Sequence, residues 1–246
     1  MNVQEIYDVI NGFAPFETAE SYDNSGILCG SLKNEVNGIL VCLDVTSRSI
    51  EEAIRSGCNL IVSHHPILFH GRKNLTEDDP EGRLLVKLVR NNINLIAAHT
   101  NFDFAPEGVS FRLAEALGLN GIEQLECGIV AGSLPETVSF EEFCGSLSAE
   151  LDTVVRGYDS GKPIRKVAVC GGAGGEFYKD AINCGADAYV TGEIRYHDSL
   201  DAMDYGLSTF SVGHDSSERI AVKPLADMIA EALRAKNEKV DISIFD

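Results

Sequence analysis

Residues 38–66 read GILVCLDVTSRSIEEAIRSGCNLIVSHHP. Gly38 to Leu43 is a short, unbroken apolar run of the kind that forms a buried strand. Thr46, Ser47 and Ser49 offer hydroxyls that cap a helix, and Gly57 stops that helix after Arg55. Asn59 to Ser63 is a second apolar run. Strand, helix and strand in so short a span make a βαβ unit, which builds parallel sheets.

The unit recurs. A shift of 128 positions lays Val41-Cys42 on Val169-Cys170, Ala53-Ile54 on Ala181-Ile182, Gly57 on Gly185 and Val62-Ser63 on Val190-Thr191, with no gap. At a shift of 115, His99 falls on His214 and Asp103 on Glu218. The smaller shift reflects a longer loop after Pro66 in the first copy.

Working outward, Val3, Ile6, Val9 and Ile10 have helix spacing, and Gly12 closes that helix. After a polar stretch from Gly71 to Gly82 come a helix over 83–91, a strand over 94–98 and a helix over 107–117. Past Cys127 the pattern restarts with a strand at 128–134. Ser139 and Glu142 then form a capping box for a helix reaching Leu151. Strands at 166–170, 187–191, 208–212 and 240–245 alternate with helices at 176–184, 197–205 and 216–235. The expected architecture is α/β, with two related lobes, 1–126 and 127–246. The C-terminal helix and strand are left open to pack back on the first lobe.

The chain has 246 residues, 44% hydrophobic and 24% charged, ordinary values for one or two globular domains. Collagen-like, coiled-coil and disordered classes are excluded. Lys and Arg number 20 against 38 Asp and Glu, a net charge of −18. Such a field repels phosphate backbones and attracts cations, so no nucleic-acid partner is expected. Seven Cys with no C-x-x-C pair fit buried thiols in a reducing cytoplasm. No run of about 18 apolar residues and no basic, apolar leader is present, so neither secretion nor a membrane span is expected.

Ser63-His64-His65-Pro66 directly follows an apolar strand. Ligands of open α/β sheets bind beyond the carboxyl ends of strands, and Pro66 holds His65 extended. His99-Thr-Asn-Phe-Asp103 and His214-Asp-Ser-Ser-Glu218 also follow apolar strands. Their i, i+4 spacing turns an imidazole and a carboxylate the same way on a helical turn. Each motif alone also reads as a His packed at a strand end beside a helix-capping carboxylate. Three of them ending core strands favour a metal site. Imidazole and carboxylate donors without thiolate suit Zn²⁺, Mn²⁺, Fe²⁺, Ni²⁺ or Co²⁺, and bridging carboxylates suit two ions. Gly171-Gly-Ala-Gly-Gly175 opens a helix after a strand but lacks both the third Gly of a dinucleotide motif and a Gly-Lys-[Ser/Thr] sequence. It reads as a tight turn before an anion cradle. Arg72 and Lys73 are substrate candidates or a solvated loop. Glu193 and His197, after the strand ending at Thr191, are pocket candidates or ordinary surface residues.

At these residues the chain resembles the GTP cyclohydrolase 1 type 2 homolog family, also called NIF-three-like or YbgI-like. The matching stretches are Tyr22-Asp-Asn-Ser-Gly-Ile-Leu, Ser63-His-His-Pro66, Ala98-His-Thr-Asn-Phe-Asp103, Thr191-Gly-Glu-Ile-Arg-Tyr-His197 and Gly213-His-Asp-Ser-Ser-Glu218. Tyr22 stands where the family usually has Trp, and Asp215 where an aromatic is common. The resemblance implies a dinuclear site in the cleft, carried by His64, His65, Asp103, His214 and Glu218, with two divalent ions per subunit. It places His99 nearby, either supporting the ligands or carrying a proton; in the expected reaction His99 or Glu193 shuttles the proton. It implies a ring-shaped hexamer and a nucleotide-like small-molecule substrate. The expected activity is metal-dependent hydrolysis of a nucleotide or related heterocycle or phosphate. A phosphoesterase and a non-catalytic metal-binding or regulatory assembly protein are the alternatives.

Overall fold

The computed structural model describes residues 1–125 and 128–245. The expected lobe boundary between residues 126 and 127 lies outside the described residues. Backbone contacts group Met1–Ala105 with Val222–Asp246 as one unit and Pro106–Ala221 as the other.

The first unit runs α1 (Val3–Phe13), β1 (Gly26–Cys29), β2 (Gly38–Cys42), α2 (Ser47–Ser56), β3 (Leu60–Ser63), α3 (Pro80–Arg90), β4 (Asn94–Ala97) and the single turn α4 (Thr100–Asp103). The second runs α5 (Val109–Ala116), β5 (Asn120–Gln124), β6 (Val130–Val138), α6 (Phe140–Glu150), β7 (Arg156–Tyr158), β8 (Ile164–Cys170), α7 (Tyr178–Asn183), β9 (Ala188–Thr191), α8 (Tyr196–Asp204), β10 (Ser208–Ser211) and α9 (His214–Glu218). Helix α10 (Val222–Ala235) and strand β11 (Asp241–Phe245) return to the first unit.

The first sheet has the order β1-β4-β3-β2-β11, parallel except for β1. Every residue of β2, β3 and β4 is buried, which is why these strands read as continuous apolar runs. Leu40, Cys42, Ile61 and Leu95 pack under Ile50 and Ala53 of α2 and Leu88 of α3. Helices α1 and α10 pack against each other, and α10 lies on β2. The second sheet has the order β5-β6-β8-β9-β10-β7, with β8, β9 and β10 parallel. Val167, Val169 and Val190 turn to one face with Leu113 and Leu147. Ala168, Cys170 and Tyr189 turn to the other with Tyr178 and Ala202.

The repeat is present down to its register. Val41 pairs Val62 and Cys42 pairs Ser63, as Val169 pairs Val190 and Cys170 pairs Thr191. In the third strands, Ala97 opposite Ser63 corresponds to Ser211 opposite Thr191, a shift of 114. The His pair aligns at 115, so the second copy carries one more residue between strand and His. Gly213, at φ 89°, lies in that longer link. The expected helix over 216–235 is instead α9, a 3₁₀ turn at Arg219–Ala221 and α10.

Candidate functional site

Both His64 and His65 extend the sheet past β3. Their amides donate to the carbonyls of Cys42 and Leu43, each at 3.0 Å. Ser63 Oγ donates to the His65 carbonyl at 2.8 Å and tightens the turn before Pro66. Beside them, the Ala98 amide donates to the Ser63 carbonyl at 2.8 Å and carries β4 on to His99. Helix α4 then returns Asp103, whose Oδ1 lies 3.6 Å from His64 Nε2. The rings of His64, His65 and His99 have centroids 5.0 to 5.5 Å apart. One donor nitrogen from each lies within 4.8 Å of the others, a group able to hold a metal ion.

The imidazoles are braced alike. His64 Nδ1 lies 2.8 Å from the Ala98 carbonyl. His65 Nδ1 lies 2.9 Å from Asp44 Oδ1, and His99 Nδ1 2.7 Å from Asp23 Oδ1. A carbonyl and a carboxylate only accept, so each Nδ1 carries a proton there, and a ring that holds no second proton presents an Nε2 lone pair. Asp23 has a fully covered side chain. Burial opposes its charge, but hydrogen bonds from His99, Ser25 and Thr100 outweigh that and hold the carboxyl well below the ordinary range.

In the second unit, the Gly213 amide donates to the Gly192 carbonyl at 3.1 Å and launches α9. His214 Nδ1 lies 3.0 Å from Glu193 Oε1, the same bracing. His214 Nε2 lies 3.2 Å from Glu218 Oε2, and the Glu218 side chain is only 4% exposed. A lone pair and a carboxylate oxygen at that distance repel unless a proton or metal ion lies between them. An imidazolium proton or a divalent cation would satisfy the pair, and the imidazole and carboxylate donors are of the type that such a cation takes. The glycine-rich turn is a close-packing feature: a Cβ at Gly174 would lie 2.6 Å from Cys170 Sγ, and one at Gly175 2.6 Å from the Glu193 carbonyl.

Of the expected site residues, the first unit brings His64, His65, His99 and Asp103 together, and the second brings Glu193, His214 and Glu218 together. His197 is exposed in the first turn of α8. Arg72 is committed within its own loop: it binds Asp79 in bidentate fashion at 2.6 and 3.0 Å and Glu81 at 2.7 Å. Asp79 caps α3 through the Gly82 amide, so Arg72 organises that helix start. Lys73 is exposed. The sequence reading missed Asp44 and Asp23. Asp44 stands just past β2, where the rule about strand carboxyl ends would have found it. Asp23 lies in the Tyr22–Leu28 stretch, 76 residues from its partner His99, with no local signal of that role.

The model of Duf34/NIF3 (NGG1p interacting factor 3) matches residues 1–246. A Clostridium perfringens protein named GTP cyclohydrolase 1 type 2 homolog is 33% identical, covering 95% of this chain and 93% of that one. A Campylobacter jejuni protein of the same name is 32% identical over 92% and 91%. Among solved structures, a hypothetical protein of Staphylococcus aureus superposes with a TM-score of 0.93 at 29% identity, over 100% of this chain and 96% of its own. A Bacillus cereus protein related to NIF3 gives 0.93 at 25% identity, over 100% and 97%.

Proposed function

The chain belongs to the Duf34/NIF3 family, and from that premise we propose that it is a metal-dependent hydrolase acting on a nucleotide or related heterocycle or phosphate. Its two divalent ions, drawn from Zn²⁺, Fe²⁺, Mn²⁺, Ni²⁺ and Co²⁺, would be held by His64, His65, Asp103, His214 and Glu218. The supporting observation is the common bracing of the imidazoles, each with Nδ1 donating and Nε2 offered. Bound ions would polarise a carbonyl or phosphoryl oxygen and acidify water. His65 is kept in the ligating tautomer by Asp44, and His214 by Glu193. His99 Nε2, held in place through Asp23, and the Glu193 carboxylate carry protons. His197 and Lys73 are proposed to meet the substrate; Arg72 reaches it only by leaving Asp79 and Glu81. Assembly into a ring of six and a cytoplasmic location belong to the same proposal. No helix among the described residues is long and apolar enough to cross a membrane.

Metal content separates the roles. Glu218→Gln should lose at least half of the metal that the unchanged protein holds, while His99→Gln keeps it. Equal loss in both would make His99 a ligand. Protein loaded with its native metal should hydrolyse at least one member of a nucleotide and phosphoester panel. Retained metal with no turnover across the panel would leave a non-catalytic metal protein. A light-scattering mass of one subunit at low and high salt would remove the ring.

A further inference from the structure

Next to the three-imidazole cluster stands a pair of exposed aromatic rings that the ligand set does not use. Tyr22 is 66% exposed and Phe69 38% exposed. Their ring centroids are 6.4 Å apart, and the Phe69 centroid is 6.1 Å from that of His99, edge-on at 80°. A file of rings thus leads from solvent to the cluster. The two loops that carry it are pinned. Asn24 Nδ2 donates to the Leu68 carbonyl, joining the turn after Tyr22 to the loop that holds Phe69. Asp23, the residue between Tyr22 and Asn24, accepts from Thr100 Oγ1 at 2.7 Å and from His99. The chain just after Tyr22 is therefore tied both to His99 and to the residue before Phe69.

Large aromatic side chains normally bury most of their surface, because the gain from doing so is large. Two partly exposed rings on loops tied together beside a cluster of chemistry-bearing groups, their planes 54° apart, offer an open aromatic wedge. Flat heteroaromatic rings stack on such faces through their own π-faces, which ribose and free phosphate lack. We propose that Tyr22 and Phe69 form a stacking subsite that takes the flat face of a purine or similar fused heterocycle and points its substituents toward His99. This deepens the hydrolase reading and rests on it for the direction of the substrate, but the stacking itself is independent of metal.

Equilibrium dialysis of the full-length protein with guanosine, GMP and ribose 5-phosphate tests it. Tyr22→Ala and Phe69→Ala should each weaken guanosine and GMP binding about ten-fold. Tyr22→Phe and Tyr22→Trp should restore it, and ribose 5-phosphate binding should not change. Tyr205→Ala, an equally exposed ring in the second unit, should behave as the unchanged protein. The subsite is overturned if neither purine ligand binds at millimolar concentration, or if the alanine variants bind them as the unchanged protein does. It is also overturned if ribose 5-phosphate binding falls equally, or if the alanine variants change only the light-scattering mass. Metal retained without purine binding removes the subsite alone. Purine binding that depends on Tyr22 in a protein that takes up no metal removes the hydrolase reading and leaves the subsite.

Discussion

The carboxyl ends of β3 and β9 are the same place in two copies of one unit, yet they are built differently. Positions 64 and 65 carry His-His; 64 + 128 = 192 and 65 + 128 = 193 carry Gly-Glu. In the first copy, the buried His64 side chain fills the space beyond the strand. In the second, a Cβ at Gly192 would lie 2.5 Å from the Gly172 carbonyl and 2.9 Å from His214 Cα, because α9 occupies that space. The contrast repeats one strand over. Asp44 braces His65, whereas at Gly172 (44 + 128) a Cβ would meet Glu218 Oε1 at 2.2 Å. The copies keep their strand register and redistribute their donors. One hangs most of its imidazoles from a strand end; the other swings His214 and Glu218 in from the next helix. A repeated fold thus fixes where donor groups can stand, and the choice of donor is made locally by packing.

The harshest way to break the comparison is to give the second copy the first copy's residue. Gly192→His should cost at least about 3 kcal/mol, since the clash is with backbone atoms that cannot give way. Urea denaturation measures it; a midpoint within error of the unchanged protein would mean that the α9 turn is not held where it stands.

A smaller effect sharpens the bracing contrast. His99 leans on the covered Asp23, and His214 on Glu193, whose side chain is 62% exposed. Asp23→Asn should cost on the order of 2 kcal/mol at pH 7, and Glu193→Gln under about 0.5 kcal/mol. The Asp23 carboxyl titrates lower folded than unfolded, so its contribution is complete above the ordinary carboxylate range and fades as pH falls toward its folded value. The gap between the unchanged protein and Asp23→Asn should therefore narrow from pH 7 to pH 2. A constant gap, or equal costs for the two variants, would contradict the contrast.

The smallest effects test what the copies share. Gly57 and Gly185 sit at φ 74° and 76° with open space around a would-be Cβ. Gly57→Ala and Gly185→Ala should each cost about 1 kcal/mol, and equally. Thermal unfolding showing a clear inequality would separate the two helix ends.

The parallel strands were legible because burial on both faces leaves continuous apolar runs, and the gapless shift of 128 carried their register. Strands β1, β5 and β7 were not. Each pairs antiparallel at or near a sheet edge, and they are short: Arg156–Tyr158 has three residues, and Asn120–Gln124 has one strongly apolar side chain, Ile122. The break between α9 and α10 was missed because a 3₁₀ turn interrupts the helix without interrupting its apolar spacing. At the candidate site, His64, His65, His99 and His214 were legible from their places at strand ends. Their braces at Asp23 and Asp44 were not recognised, since bracing depends on contacts between distant segments. Arg72 reads from sequence as a substrate contact or a solvated-loop residue, and its partners Asp79 and Glu81 lie in the same polar stretch.

That the imidazole and carboxylate groups proposed as ligands bind two divalent ions is the proposal on which the functional reading depends. Elemental analysis after reconstitution with Zn²⁺, Mn²⁺, Fe²⁺, Co²⁺ or Ni²⁺ tests it most directly. The expected result is two equivalents per subunit for at least one metal, with affinity rising from about pH 5 to pH 7 as protons leave the imidazoles. Less than one equivalent with every metal would contradict it.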